Sequence, residues 1–164
     1  MQDIITRRFP CWNFLHNYFE AYNGRIWILW ISAWQVSLLA TSNQIISCSV
    51  EISSDKSLFN AIYGCNDGMD RRKLWSHLLT IHNYVQKEPW MLIGDFNVIA
   101  DCNESSNSFD SFATNSDIRD FTDCRIHLST FDHAYTSPLF TWTNKHSKDF
   151  IAKSLTKFLL MIYD

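Results

Sequence analysis

The closest grouping of side chains that can do chemistry is Gly94-Asp95-Phe96-Asn97, directly behind the apolar run Trp90-Met91-Leu92-Ile93. Asp95 and Asn97 stand two residues apart, so on extended backbone both project to one side while Phe96 turns into the core. Gly94 removes a side chain at a point where the backbone can approach a ligand closely. A carboxylate and an amide delivered together at a strand end suit a hydrated Mg²⁺ and a phosphate oxygen. Alternatively, Asp95 can orient a water for in-line attack. Taken alone, four residues of this kind more often form a plain strand-end turn.

The surrounding charge is uneven. Asp95 to Asp132 holds eight acidic residues against Arg119 and Arg125, whereas Lys145 to Lys157 holds four Lys against one Asp. The first stretch can serve a divalent cation and the second can face phosphates; solvated faces are the commoner use of such charges. The whole chain is nearly balanced, with net charge −3, so no global field draws it to nucleic acid or membrane. Cys124, His127 and His133 come nearest to a metal-ligand run, but they lack a second short pair, which favours a buried Cys beside surface His. Five cysteines without close spacing make a poor disulfide framework and point to a reduced, intracellular setting, nuclear or cytoplasmic.

The elements that must position these groups fit one domain over residues 1–164. A chain this long buries roughly 70% of its unfolded surface, and 46% hydrophobic residues supply the core. Strands are expected at Trp12–Phe19, Arg25–Trp30, Val36–Ala40, Gln44–Ile52 and Leu58–Tyr63, with turns at Asn23-Gly24, Thr41-Ser42-Asn43 and Asn66-Asp67-Gly68. Their short spacing suggests antiparallel meanders rather than βαβ crossovers. Leu74, Trp75, Leu78, Leu79, Ile81 and Val85 make an apolar stripe, which predicts a helix from Asp70, its cap, to Lys87 before Pro89. Trp90–Ile93 reads as a strand buried on both faces, 101–115 as a long loop, Ser116–Cys124 as a short helix and Leu139–Thr143 as a strand. Arg7-Arg8-Phe9 faintly resembles a twin-arginine signal, but Ile26–Ala40 is too broken and short to span a bilayer, so neither a signal peptide nor a membrane anchor is expected.

Several of these pieces together resemble the endonuclease/exonuclease/phosphatase superfamily, the fold of DNase I and exonuclease III, and most of all the endonuclease domain of plant LINE-type (non-LTR) retrotransposons. The pieces are Gly24-Arg25-Ile26-Trp27-Ile28-Leu29-Trp30, Ile62-Tyr63-Gly64, Arg71-Arg72-Lys73-Leu74-Trp75, Pro89 to Asn97, and Phe140-Thr141-Trp142-Thr143-Asn144, in the family's order and spacing. The resemblance implies an α/β fold of two packed, mostly antiparallel sheets flanked by helices, and Mg²⁺-dependent hydrolysis of nucleic-acid phosphodiesters. Residue by residue, Tyr63 matches the active-site tyrosine near the scissile phosphate, and Asn66 lies in a phosphate-contacting loop. Asp95 matches the aspartate that activates or orients the attacking water, with a weak claim on the metal. Asn97 matches its phosphate- or transition-state-binding partner. Trp142 falls where relatives line the substrate groove with an aromatic; a core aromatic is an equally good reading of it.

The departures set a second expectation. The strands that carry an Asn and the metal-binding Glu in relatives have no counterpart before Trp12, and Thr156 stands where relatives carry the Asp that pairs with the catalytic His. None of the six His occupies that His position; His146, near Trp142, is the one substitute to consider. The chain therefore reads as a truncated, retrotransposon-derived copy of the domain with impaired or lost hydrolysis. The alternative is a non-catalytic module that reuses the fold for binding. Neither reading requires an obligate protein partner.

Overall fold

The computed structural model describes residues 2–22, 24–84, 88–107, 116–133, 138, 140–146 and 149–161. A short helix, α1 (Gln2–Arg8), leads into an antiparallel pair, β1 (Trp12–His16) and β2 (Trp27–Ile31). Then come β3 (Gln35–Thr41), β4 (Ile45–Ile52) and β5 (Asp55–Tyr63), followed by α2 (Gly68–Tyr84), β6 (Trp90–Asp95) and α3 (Ser116–His127). Four more strands close the chain: β7 (Phe131–Asp132), β8 (Trp142–Thr143), β9 (Ala152–Lys153) and β10 (Thr156–Met161).

Six strands form one mixed sheet in the order β3-β4-β5-β6-β10-β7, with β1-β2 and β8-β9 as separate pairs. The expected α/β architecture is present. The meander expectation holds for β3-β4-β5, which pair antiparallel. It fails at the next step, because β5 and β6 run parallel and α2 is the crossover between them. A parallel neighbour requires such a connection, and the long apolar helix between two strand patterns was the signal for it.

Strand alternation sorts the core into two layers. Ile45, Leu58, Ile62, Trp90, Leu92, Leu159 and Met161 face the helices and pack with Leu74, Trp75, Leu78, Phe121 and Leu128. Trp75, Phe96 and Phe121 interlock there, with ring centroids 5.2 to 6.3 Å apart. On the opposite face Ile46, Cys48, Ala61 and Tyr63 meet Ile26, Leu15 and Ile28 of the β1-β2 region. The second sheet of the expected sandwich is thus represented over this face by a two-stranded pair.

Other boundaries differ locally. The Asp67 carboxylate accepts from the Asp70 N–H at 3.0 Å, so Asp67 rather than Asp70 caps α2, and Asp70 pairs with Lys73 at 2.7 Å. Val85 and Lys87 lie outside the described residues. α3 runs one turn beyond its expected end, and the final apolar segment is the strand β10, alternating half-buried and buried. The 101–115 loop contains a short 3₁₀ turn at Cys102–Glu104; residues 108–115 lie outside the described residues. Of the expected Leu139–Thr143 strand, only Trp142–Thr143 is β structure, and Leu139 lies outside the described residues. Among the described residues no helix is long and apolar enough to cross a membrane.

Candidate functional site

Three strands end at one rim. In the parallel ladder Tyr63 is the register partner of Asp95, and in the antiparallel ladder Thr156 is the partner of Asp95. Register partners on neighbouring strands project to the same face. The row Tyr63–Asp95–Thr156 therefore crosses β5, β6 and β10 on the face turned away from α2 and α3.

β5 and β6 come close enough to build this row because position 94 is glycine. Gly94 has φ +145°, and a Cβ there would lie 1.9 Å from the Ile62 carbonyl oxygen. The close approach expected at Gly94 is real, but its partner is the neighbouring strand and not a ligand. Beyond Asp95 the chain leaves the strand at once: Asn97 has φ +52°, its N–H donates to Asp95 Oδ1 at 2.9 Å, and its Nδ2 donates to the Gly64 carbonyl at 2.6 Å. Asp95 and Asn97 are brought together by this turn rather than by extended alternation. Phe96 is fully buried, as expected. The Gly64 N–H in turn donates to the Asp95 carbonyl at 2.7 Å, locking the two strand ends to each other.

Arg71, only 3% exposed, holds the loop after Tyr63 from behind. Its Nη1 donates to the carbonyls of Cys65 (2.7 Å) and Asn66 (3.2 Å), and its Nη2 pairs with Asp117 of α3 at 2.7 Å. Buried Gln44 adds a third support: its backbone and side-chain carbonyls accept from the N–H groups of Tyr63 and Cys65 at 2.9 and 2.7 Å. The Asp95 carboxyl is pushed above its ordinary value by burial; the Asn97 N–H and the charge of Arg71 pull it part of the way back. Arg71 stands in the Arg71-Arg72 motif of the sequence, but only its burial reveals its task. Gln44 carries no sequence signal.

Tyr63 and Asn66 line one cleft of about 460 Å³, together with Tyr22, Arg25, Asp67 and Asp70 among others. Asp95 and Asn97 are not among its lining residues; they stand one strand further along the rim. Trp142 is 43% exposed, which removes the core reading. Its hairpin is tied to the rim through Thr141, whose Oγ1 accepts from the N–H groups of Leu155 and Thr156 at 3.0 and 3.1 Å. His146 is exposed in the turn after β8, its N–H donating to Asn144 Oδ1 at 3.2 Å. A larger cavity, about 690 Å³, lies elsewhere, between α2 and the helix side of β3-β4-β5, and includes none of these residues.

Half of the acidic stretch is paired within the fold. Asp117, Asp120, Asp132 and Glu104 pair with Arg71, Arg72, Arg125 and Lys157, and Lys157 is buried rather than turned toward phosphates. Buried Cys124 has its thiol pushed up to about 12 by desolvation, His127 bonds the Asp123 carbonyl, and no metal-ligand cluster forms there. The five cysteines are free thiols.

The donors around Asp95 also test whether a divalent cation fits. Asp95 supplies one carboxylate, with Oδ1 already accepting from the Asn97 N–H; its register partners Tyr63 and Thr156 and the Asn97 amide add only neutral groups. Among the described residues no three His, Cys, Asp or Glu side chains come together. One carboxylate among neutral oxygens is too little to hold Mg²⁺, which dehydrates reluctantly and relies on anionic ligands.

The six-stranded mixed sheet, with helices on one face and a small antiparallel pair on the other, has the DNase I-like fold, which solved structures share. The chain is similar to the endonuclease domain of TRAS1, a telomere-specific non-LTR retrotransposon, at TM-score 0.74 and 9% identity over 92% of this chain and 67% of that one. It is similar to the AP endonuclease LMAP from Leishmania major at TM-score 0.67 and 9% identity, over 98% of this chain and 66% of that one. A humanized D. rerio TDP2 superposes at TM-score 0.64 and 10% identity, over 97% of this chain and 64% of that one. The chain thus spans about two thirds of the length of these structures, and identities this low establish the fold alone. No family model and no curated protein sequence matches the chain.

Proposed function

We propose that this chain is a retrotransposon-derived protein of the DNase I-like fold, akin to plant LINE endonuclease domains, whose rim binds nucleic-acid phosphate and hydrolyses it poorly or not at all. The observation that supports this reading is the Tyr63–Asp95–Thr156 row. The fold neighbours include two endonucleases, which argues for a nucleic-acid substrate. In this reading Asp95 orients a water, Tyr63 and Asn97 flank the phosphate, Asn66 contributes from the cleft and Trp142 from the groove edge. What stands opposite Asp95 is a hydroxyl, which donates or accepts hydrogen bonds but carries no charge to stabilise a protonated partner. Mg²⁺ is the metal such chemistry uses in this fold family, and a lone Asp95 binds it weakly.

The test is a nicking assay of the purified chain on supercoiled plasmid, with and without Mg²⁺, beside Asp95→Ala. Little or no nicking is expected, and Thr156→Asp alone should restore little. Efficient Mg²⁺-dependent nicking that Asp95→Ala abolishes would overturn the impaired-site reading and make the chain a working nuclease.

A further inference from the structure

The Gly24-Arg25 motif has no part in the rim just described, yet the fold brings it there. Asn17, fully buried, accepts from the N–H groups of both Arg25 and Ile26 through Oδ1 at 3.1 Å and donates from Nδ2 to the Ser42 carbonyl at 3.1 Å. Gly24 precedes Arg25 with φ +42°, and any Cβ there would fall 2.1 Å from the Tyr18 ring, so the backbone can place Arg25 this way only with glycine. The Arg25 side chain is exposed and lies over the Tyr63 ring, with Cζ 4.9 Å from the centroid. A guanidinium over an aromatic face is held there by cation–π attraction, which uses none of its N–H donors and leaves them for phosphate oxygens.

The same loop presents Tyr22 to the cleft with its whole side chain in solvent, 100% exposed. Hydrogen bonds hold the residues on either side of Tyr22: the N–H groups of Glu20 and Ala21 donate to the Asn17 carbonyl at 3.0 and 2.9 Å, and that of Gly24 to the Ala21 carbonyl at 2.8 Å. An exposed aromatic ring beside a cation that can hold phosphate is the pairing that binds unpaired nucleotides, whose free π-faces duplex DNA does not offer. The cleft also holds carboxylates. Asp70 is paired with Lys73, whereas Asp67, which accepts an N–H at the start of α2, keeps its charge, so Asp67 and Glu20 both oppose an incoming phosphate.

We infer that the Arg25–Tyr22 side of the cleft binds single-stranded nucleic acid, with a phosphate on Arg25 and the adjoining base stacked on Tyr22. The inference rests on the proposed function, since it takes nucleic acid as the ligand. The test is fluorescence anisotropy with a labelled single-stranded oligodeoxynucleotide and its blunt duplex, in EDTA, over a salt series. Arg25→Gln should weaken single-strand binding about tenfold, the loss of one charge-assisted contact, and flatten the salt slope by about 0.7. Tyr22→Ala should weaken it by about fivefold or more while leaving the duplex affinity unchanged. Glu20→Gln should tighten both ligands. All three side chains are exposed, so the folds are expected to survive, and circular dichroism verifies that. If the parent chain binds neither ligand, the proposed function itself falls. If it binds but Arg25→Gln keeps full affinity and slope, or Tyr22→Ala affects both ligands alike, this inference falls and the proposed function stands.

Discussion

Replacing Arg71 with Met should destabilise the chain by about 3 kcal/mol, the low end for breaking a buried ion pair by removing one partner. The magnitude follows from the contacts. Arg71 gives two hydrogen bonds to the carbonyls of Cys65 and Asn66 and one charged contact to Asp117 at 2.7 Å. Bonds to charged groups contribute about 1.5–3 kcal/mol each, and part of that offsets the desolvation of a guanidinium that is 3% exposed. The loss also strands the two carbonyls, whereas Asp117, at 28% exposure, recovers some hydration. With a urea m-value of about 2 kcal/mol/M the midpoint should fall by about 1.5 M. The melting temperature should fall by about 6–12 °C. Tryptophan fluorescence and far-UV circular dichroism against urea measure this directly. Arg71→Lys should fall in between, because it keeps the charge and loses the fork. A double-mutant cycle with Asp117→Asn should show coupling above about 0.5 kcal/mol. A loss below about 1 kcal/mol in Arg71→Met, or strict additivity with Asp117→Asn, would mean that the loop carrying Tyr63 and Asn66 is held by something other than this residue.

Two further outcomes follow from the rim. Gly94→Ala should destabilise by about 3 kcal/mol or more, because both the φ of +145° and the 1.9 Å approach to the Ile62 carbonyl oppose a side chain; near-parent stability in urea would show that β5 and β6 can separate at little expense. Asp95→Asn should raise the melting temperature at neutral pH, since burial dominates the Asp95 shift and the folded carboxyl holds its proton more tightly than the unfolded one. The contribution of this group to stability is therefore greatest at acid pH and declines as pH climbs from the ordinary carboxylate range through the raised value. Parent and variant should converge at acid pH, and a variant less stable than its parent at neutral pH would show that Asn97 and Arg71 outweigh burial.

The sequence by itself determined a good deal. Local signals are encoded within a few residues, so the strand at Trp90, the apolar stripe of α2 and the burial of Phe96 could be read from spacing, whereas Asp95 and Asn97 meet through a turn at a point where spacing suggested extended backbone. The motif order also pointed to the DNase I-like fold that the superpositions show. Other features depend on residues far apart in the chain. That Tyr63, Asp95 and Thr156 form one row is a property of register between three strands, one parallel and one antiparallel to the central one, and no local pattern states a register. The capping of α2 was misassigned by one turn because Asp67 and Asp70 have equal chemistry, and only the backbone geometry decides between them. Gly94 announced a close approach, but the neighbour was the Ile62 carbonyl, which only the packing of β5 against β6 supplies. Half of the acidic stretch that looked ready for a cation is paired with Arg71, Arg72, Arg125 and Lys157, partners brought in by folding. Residue types fix which chemistry is possible along the chain; long-range pairing fixes which of those groups face each other, because charge compensation and strand register are settled only when distant segments meet.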